Sequence, residues 1–535
     1  VDFEEFHNAQ VQDRFEADVF VKGNLTNQFP DTPRIRFDAA YKLLEVIERT
    51  PGRNRRERSA KARRFLDAIA GTDEDPRYTN SPIASWAAYQ RADDHESWLM
   101  AKKQRIRYST PENNIHNYLS QMKFGDLCWE AFRHYMGWLV PVPWNELRYH
   151  SCVEKFQFRR GERSENLKKG SLNRADPNFN ITITLKQQIK LKDEEWKPAK
   201  PPQPVWIHPD HQLFTEGPYG MLLLDLLIEH KPPYWHFHAK ETFQSFETWV
   251  GQHLNGVEKF EMNDLVGQDQ STQGWAVRVL ENLMRWFSFP EHVINEFKNN
   301  KLFKTLDGRI FIAIMTDSGE VWTFIINTVS NTARECFMFS IQPGQPMAQG
   351  GDDTLKGFVN PINPQYEVFR HMDPCEDKRY VSDRGEFTAH IIKNGVLYKN
   401  PIILLKRFLV RLATGRGEEA VLGYFDIFAQ NYAKKEELIV VMTEPELEAH
   451  NILTRIFMNL RKEGLKLHVD WNKTRNEEYE QLLEQKIIPT SALSAFPILR
   501  NMQMFAPVFN DATALNVLNP VSTNALTMNA YTAEF

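Results

Sequence analysis

The chain has 535 residues, with 65 Lys+Arg against 70 Asp+Glu for a net charge of −5, and is 42% hydrophobic and 25% charged. That balance excludes disorder as the main state, and the length allows roughly three or four domains or one large multi-lobed enzyme. Four Cys, none in a C-x-x-C pair, exclude a disulfide framework and a Cys-based zinc site and fit a reducing compartment. The longest apolar run, Met221 to Ile228, is far short of the ~18–20 residues of a membrane span. No signal peptide opens the chain, and its start at Val1 suggests a piece processed from something longer.

In chain order, a charged and apolar helical pattern runs from Leu43 to Ile69, interrupted at Pro51 and Gly52. Residues 51–200 carry 28 Lys+Arg against 19 Asp+Glu, a local charge of +9 that leaves −14 for the rest. The basic residues cluster at Arg53 to Arg64, Lys102 to Arg107, Arg159 to Lys169 and Lys186 to Lys200, with Trp98, Tyr108, Phe156, Phe158, Trp196 and Trp206 interleaved. Such a segment suits a cationic groove for polyanions, although charge alone is equally served by solvated helix faces. The alternation at Ile181 to Leu185 predicts a strand, and Pro198 to Pro204 a proline-stiffened loop. Further strands are expected at Val257–Met262, Ile310–Met315 and Gly357–Val359, and helices at Gln270–Phe287, Val321–Phe339 and most of Pro401–Lys486. No Lys or Arg follows Arg500, so residues 501–535 read as a low-charge tail.

Three spots carry chemistry. Gly351, Asp352 and Asp353 suit the tip of a β-hairpin, where Gly supplies positive φ and a carboxylate can ligate a hard divalent cation. Asp264 is expected to end a strand, with Asp269 in the turn opening the next helix and Ser271 as a candidate N-cap. Ser318 and Gly319 form a flexible loop, followed by Thr323 and Asn327 on one polar face of an otherwise apolar helix. Each alone is an ordinary turn or cap. His236 with His238 and His208 with His211 are better explained by strand alternation or a polar loop than by a metal. No G-x4-G-K-[ST] loop occurs, which argues against a helicase or ATPase.

Together, the order, residue types and spacing resemble the palm motifs of viral RNA-dependent RNA polymerases: D-x4-D, then S-G-x3-T-x3-N, then G-D-D. Asn263, Asp264, Asp269, Gln270 and Ser271, with the run from Gly385 to Pro401, are similar to the alphavirus-like supergroup, in particular plant and fungal flexible-filament and tymovirus-type replicases. The chain departs from that group at Val266 and Gly267, where an aromatic residue is usual, and at Thr388, Ala389 and His390, where Cys-Gly-Trp is usual. The resemblance implies an α+β right-hand polymerase fold. Residues 1–215 would form an N-terminal extension and fingers, 216–268 the first palm part, 269–309 finger helices, 310–399 the second palm part, 400–500 a helical thumb and 501–535 the tail.

By the same resemblance the chain joins an RNA 3′-hydroxyl to an incoming nucleotide, with two Mg²⁺ or Mn²⁺ ions held by Asp264 and Asp352 and secondarily Asp353. Asp269 and Asn327, with Ser318, Gly319 and Thr323, would recognise the ribose 2′-hydroxyl. Lys186, Lys190, Lys192 and Lys200 resemble the basic fingers motif over the triphosphate. Arg91, Lys102, Lys103, Arg105 and Arg107 resemble the segment touching RNA or nucleotide phosphates. Lys378 stands where the family carries a Lys that protonates leaving pyrophosphate, with Arg379 as a competing neighbour. Implied partners are RNA template and product, nucleoside triphosphates, and capping and helicase domains of a replicase, with membrane association only through partners and a host-cytoplasmic, membrane-associated replication complex as the location. Other readings are a reverse transcriptase or terminal transferase on the same palm, or an inactive RNA-binding scaffold. Apart from the resemblance, residues 501–535 are expected to be a plain terminal tail, with a priming or gating element folded near the template channel as the alternative.

Overall fold

The computed structural model describes residues 87–90, 95–160, 180–186, 188–191, 202–306, 308, 310–413, 417–434 and 436–462. The helix expected over Leu43–Ile69, the tail at 501–535, and Arg91, Lys192 and Lys200 lie outside them. Among the described residues no helix is long and apolar enough to cross a membrane.

Strand β1 (Ala87–Gln90) precedes α1 (His95–Arg105) and the long α2 (Pro111–Met136). Helix α2 starts where Thr110 accepts the Asn113 N–H at 3.2 Å, with Pro111 in the first turn, and stops at left-handed Gly137. Next come α3 (Glu146–Arg160), β2 (Asn180–Leu185), β3 (Gln188–Leu191), β4 (Pro204–Ile207) and α4 (Asp210–His230). The domain boundary expected at 215/216 falls inside α4, one unbroken helix, because Leu213, Phe214, Leu222, Leu223 and Leu227 all pack into the same core.

The centre is a five-stranded sheet in the order β11 (Glu376–Ser382), β6 (Phe260–Val266), β10 (Asp353–Lys356), β9 (Met347–Gly350) and β5 (Trp235–Phe237). Side chains alternate between its faces. One face meets the large core shared by α2, α4, α7 (Gly274–Trp286) and α9 (Thr323–Phe339), where Phe124, Phe132, Trp235, Trp275, Trp322 and Met347 are almost fully buried. Each such large side chain stabilises the fold by about 1.5–3 kcal/mol relative to exposure, which fixes α9 rigidly beneath the sheet. The other face is covered at one end only, by α5 (Phe243–His253) and the small sheet β12 (Gly385–Phe387), β13 (His390–Lys393) and β14 (Val396–Lys399). Phe246, Phe260, Met262, Leu355, Phe387 and Leu397 fill that second core.

Between β6 and α7 lies the one-turn α6 (Gln268–Ser271), and α8 (Glu291–Phe303), β7 (Thr305–Leu306) and β8 (Ile310–Phe311) follow α7. Strands β4, β2, β7 and β8 form a separate four-stranded sheet, and β1 pairs with β3. A short α10 (Pro364–Phe369) precedes β11. Helices α11 (Pro401–Ala413), α12 (Gly417–Tyr432), α13 (Glu436–Val441) and α14 (Glu444–Lys462) close the described chain. Arg384 ties α14 to the small sheet, donating to both oxygens of Glu446 at 2.7 Å.

Four expectations shift, among them the strand over Ile310–Met315, which is reduced to Ile310–Phe311. Beyond Val257–Met262 the strand starts later and runs two residues past Asp264, since β10 and β11 pair with it there. Gly357–Val359 is not a strand: β10 ends at Lys356 opposite Glu261, and β6 begins only one residue further, so little partner backbone is left. Ser271 is no N-cap; it lies within α6 and donates to the Gly267 carbonyl, and α7 begins after Gln273 without a side-chain cap.

Candidate active site

Asp264 of β6 pairs in register with Asp353 of β10 on one side and Lys378 of β11 on the other. Residues directly opposite in antiparallel strands project from the same face, with Cβ atoms about 4.5–5.5 Å apart. Lys378, Asp264 and Asp353 therefore form one row on the sheet face, at the end that the second core leaves open. Asp352 occupies the exposed turn between β9 and β10, whose first residue, Gly351, has φ +61°. That left-handed φ is what Gly is needed for. The register puts Asp353, ranked second by the sequence, straight across from Asp264, while Asp352 stands at the tip beside them.

Helix α9 fastens this turn from below. The Thr328 hydroxyl accepts the Gly351 N–H at 3.0 Å, and Asn331 Nδ2 donates to the carbonyls of Gly351 and Asp352 and to Thr354. Gln349 Nε2 donates to the carbonyls of Gly351 and Asp353. Sequence reasoning passed over Thr328, Asn331 and Gln349; the recurrence of polar residues at 327, 331 and 335 along a buried helix was a signal for Asn331, and the linear pattern held none for Thr328 or for Gln349 of β9.

The same face of the helix, one turn earlier, meets Asp269. Asn327 Nδ2 donates to Asp269 Oδ1 at 2.8 Å, and Gln268 Nε2 donates to the Asn327 carbonyl at 2.8 Å. Burial raises the Asp269 carboxyl above its usual range, against the lowering effect of the Asn327 hydrogen bond. Asn327 Oδ1 is buried without a partner, so an acceptor for an O–H donor stands next to a carboxylate. Thr323 is differently placed: its hydroxyl bonds the carbonyls of Asp317 and Glu320 in the loop that leads into its helix. Ser318 is half-buried and its carbonyl accepts the Trp206 N–H at 2.9 Å. Gly319 has φ +118°, and a Cβ there would meet the Trp206 carbonyl oxygen at 2.7 Å.

The expected cations divide. Arg105 is half-buried within electrostatic reach of Asp269, and Gln270 hydrogen-bonds the Gln104 carbonyl, so the end of α1 lies against the Asp269 loop. Lys102 is exposed with its ammonium 5.4 Å from the Trp98 ring, and Lys103 is half-buried. Arg107 braces the protein itself, donating to the carbonyls of Thr272 at 2.8 Å and Ile314 at 2.6 Å. Lys186 is half-buried at the end of β2, and Lys190 lies in β3 opposite Ala88. Lys378 Nζ is 3.2 Å from Asp264 Oδ2. Arg379 points to the opposite face, bonded to Glu261 at 2.6 Å and Glu335 at 2.7 Å, so of these two neighbours only Lys378 faces the carboxylates.

That opposite face holds a buried charge network: Lys356 lies 3.0 Å from both Glu261 and Glu335, and Arg334 pairs with Asp373 and Asp377. Burial alone would raise the Glu335 carboxyl, but Lys356, then Arg379 and Arg334, hold it well below the usual carboxylate range.

Asp264, Asp352 and Asp353 together offer hard oxygen donors at the open end of the sheet, a donor set that fits Mg²⁺ or Mn²⁺. Among the described residues, the one group of three whose ligand atoms all lie within 4.8 Å of one another is instead His208, Asp317 and Glu320, buried beneath the Ser318 loop. Lys304 already pairs with Asp317 at 2.5 Å and Lys301 with Glu320 at 2.6 Å, so its charge is balanced by the protein.

Residues 149–374 match the RNA dependent RNA polymerase family. The chain is 23% identical over 438 residues to the RNA replication protein of Papaya mosaic potexvirus, covering 79% of this chain and 28% of that protein. It is 22% identical over 437 residues to the RNA-directed RNA polymerase of Apple chlorotic leaf spot virus, covering 78% of this chain and 22% of that protein. The chain thus spans less than a third of the length of these relatives. Among solved structures, a Sicinivirus 3Dpol RNA dependent RNA polymerase overlays 76% of this chain and 93% of its own, with a TM-score of 0.42 and 10% identity.

Proposed function

We propose that this chain, similar to viral RNA-dependent RNA polymerases of the alphavirus-like supergroup and matching that polymerase family over residues 149–374, is the RNA-copying part of a replication protein. The observation that carries the reading is the row of Asp264 and Asp353 with Asp352 at the adjoining tip, next to the Asp269–Asn327 pair. Its reaction is template-directed transfer of a nucleotide to an RNA 3′-hydroxyl with release of pyrophosphate.

Asp264, Asp352 and Asp353 would hold two divalent ions, which supply Lewis-acid stabilisation of the attacking and leaving oxygens. Thr328, Asn331 and Gln349 keep the turn bearing Asp352 in place, so little rearrangement is needed when substrate arrives. Asp269 Oδ1 and the unpartnered Asn327 Oδ1 are acceptors suited to a ribose 2′-hydroxyl, which favours ribonucleotides over their deoxy counterparts. Gly319 lets the Ser318 loop run against the β4 backbone beside them. Lys102, Lys103 and Arg105, next to the Asp269 loop, and Lys186, Lys190, Lys192 and Lys200 supply cationic charge for RNA and triphosphate phosphates. Arg91 belongs to the same basic group in sequence, and Lys378 is the acid nearest the carboxylate row. Capping and helicase domains of a replicase are the expected partners, in a membrane-associated complex of the host cytoplasm that this chain joins through them.

The test is primer extension by purified protein with Mg²⁺ or Mn²⁺ and an RNA template. Asp352→Asn should lower incorporation by about a hundredfold or more, since metal-borne charge stabilisation is worth several kcal/mol. Wild-type extension by that variant would overturn the metal assignment; a preference for dNTPs would overturn RNA synthesis.

A further inference from the structure

Strands β10 and β11 present cations of two kinds. On the covered face, Arg379 and Lys356 are engulfed by Glu261 and Glu335 and are permanent parts of the fold. On the open face, Lys378 meets Asp264 alone among the described ion pairs, at 3.2 Å, with side chains 55% and 46% exposed. An ion pair that exposed contributes about 0–1 kcal/mol, so it is held in place by strand register and is readily displaced.

Its position has a reason. Asp264 and Asp353 are directly opposed, and like charges facing each other across two strands destabilise the pairing. A positive side chain in the next place of the same row offsets that repulsion. The same Asp264 carboxylate is also a candidate ligand for a divalent ion, and one oxygen cannot serve both cations at short range without their repelling each other.

We propose that Lys378 is the resident counter-ion of the Asp264–Asp353 row and is exchanged for the divalent cation when the site is loaded; this rests on the polymerase reading, in which Asp264 is a metal ligand. Two consequences follow from linkage, which is reciprocal. Lys378 weakens metal binding by competing for Asp264. Metal binding in turn detaches the Lys378 ammonium, making it available to anionic groups of the substrate only in the loaded enzyme. The lysine is a positioning and gating residue for the carboxylate row, ahead of any part it takes in proton transfer.

The experiment is Mn²⁺ titration of the full 535-residue chain without nucleotide or RNA, read by loss of the free-ion electron paramagnetic resonance signal, for wild type, Lys378→Gln, Lys378→Arg and Asp264→Asn. Removing one positive charge about 5 Å from a divalent ion, with salt screening, should tighten Mn²⁺ binding about three- to tenfold in Lys378→Gln. Lys378→Arg should bind like wild type. Thermal melting should show Lys378→Gln less stable than wild type without metal and restored by Mn²⁺. Unchanged or weaker binding in Lys378→Gln, or the same tightening in Lys378→Arg, overturns the exchange. If Asp264→Asn binds Mn²⁺ as wild type does, the metal assignment itself falls and the proposal with it. Weakened binding in Asp264→Asn beside an unchanged Lys378→Gln refutes the exchange alone.

Discussion

Gly319→Ala is a sharp test of the Ser318 loop. The backbone there has φ +118°, where an L-residue costs about 1–3 kcal/mol. The added Cβ would also lie 2.7 Å from the Trp206 carbonyl oxygen, a backbone atom of β4 that cannot swing aside. Opening that contact strains the bond from Trp206 N–H to the Ser318 carbonyl, now 2.9 Å, worth another ~0.5–1.5 kcal/mol. The total of about 2–4 kcal/mol is large for one loop and small against the two cores, so the loop should leave its place while α9 and the sheet remain. Single-nucleotide incorporation should fall at least about tenfold, with a lower preference for rNTP over dNTP, since each 1.4 kcal/mol is a factor of ten. The thermal transition should move by only a few degrees. A variant with wild-type rate and selectivity would refute the assigned need for glycine and the link between this loop and the sugar site.

Two other outcomes are expected. Asn327→Ala removes a hydrogen bond worth about 0.5–1.5 kcal/mol, so rNTP/dNTP selectivity in competition assays should fall about two- to tenfold. Asp269 is already raised by burial, and losing the Asn327 donor raises it further, so the acid limb of the rNTP rate profile should move to higher pH; an unmoved limb would show that Asp269 does not govern it. Glu335→Gln strips the shared partner from Lys356 and Arg379 and should cost about 3–5 kcal/mol in urea unfolding. Because Glu335 is depressed in the folded protein, the stability it contributes is present above its unfolded value of about 4.3 and is lost as pH falls below that; the variant should show less of this acid loss, and an equal loss would refute it.

The candidate carboxylates stood out in the sequence because the proposed chemistry demands particular residue types at particular intervals, and a Gly–Asp–Asp tip, ordinary by itself, gains meaning only beside Asp264 and the Ser318–Asn327 run. Helix α9 was legible too, from its apolar run. Sequence could not show that Asp353 faces Asp264, because register is set by how far β6 extends, and that depends on the strands beside it. It could not separate Lys378 from Arg379 either, since adjacent strand residues differ only in which face they take. Arg107 and Thr323 look like ligand-facing polar groups in a linear pattern, yet nearby backbone carbonyls engage both. The boundary at 215/216, taken from the resemblance, falls within a continuous helix, because motif spacing does not show where a helix between motifs begins or ends.

Helix α9 has a consequence for how the protein can vary. Thr323, Asn327, Asn331 and Glu335 stand four residues apart and reach, in turn, the Ser318 loop, Asp269, the Gly351 turn and the base of the sheet. Four parts of the site are thus indexed to one rod, which acts as a ruler. Deleting one residue between Thr323 and Glu335 would turn everything beyond it by about 100° and slide it by about 1.5 Å, uncoupling several at once. The residue count along this helix cannot change without breaking that register, so the spacing between the proposed sugar site and the proposed metal site is written in helical turns.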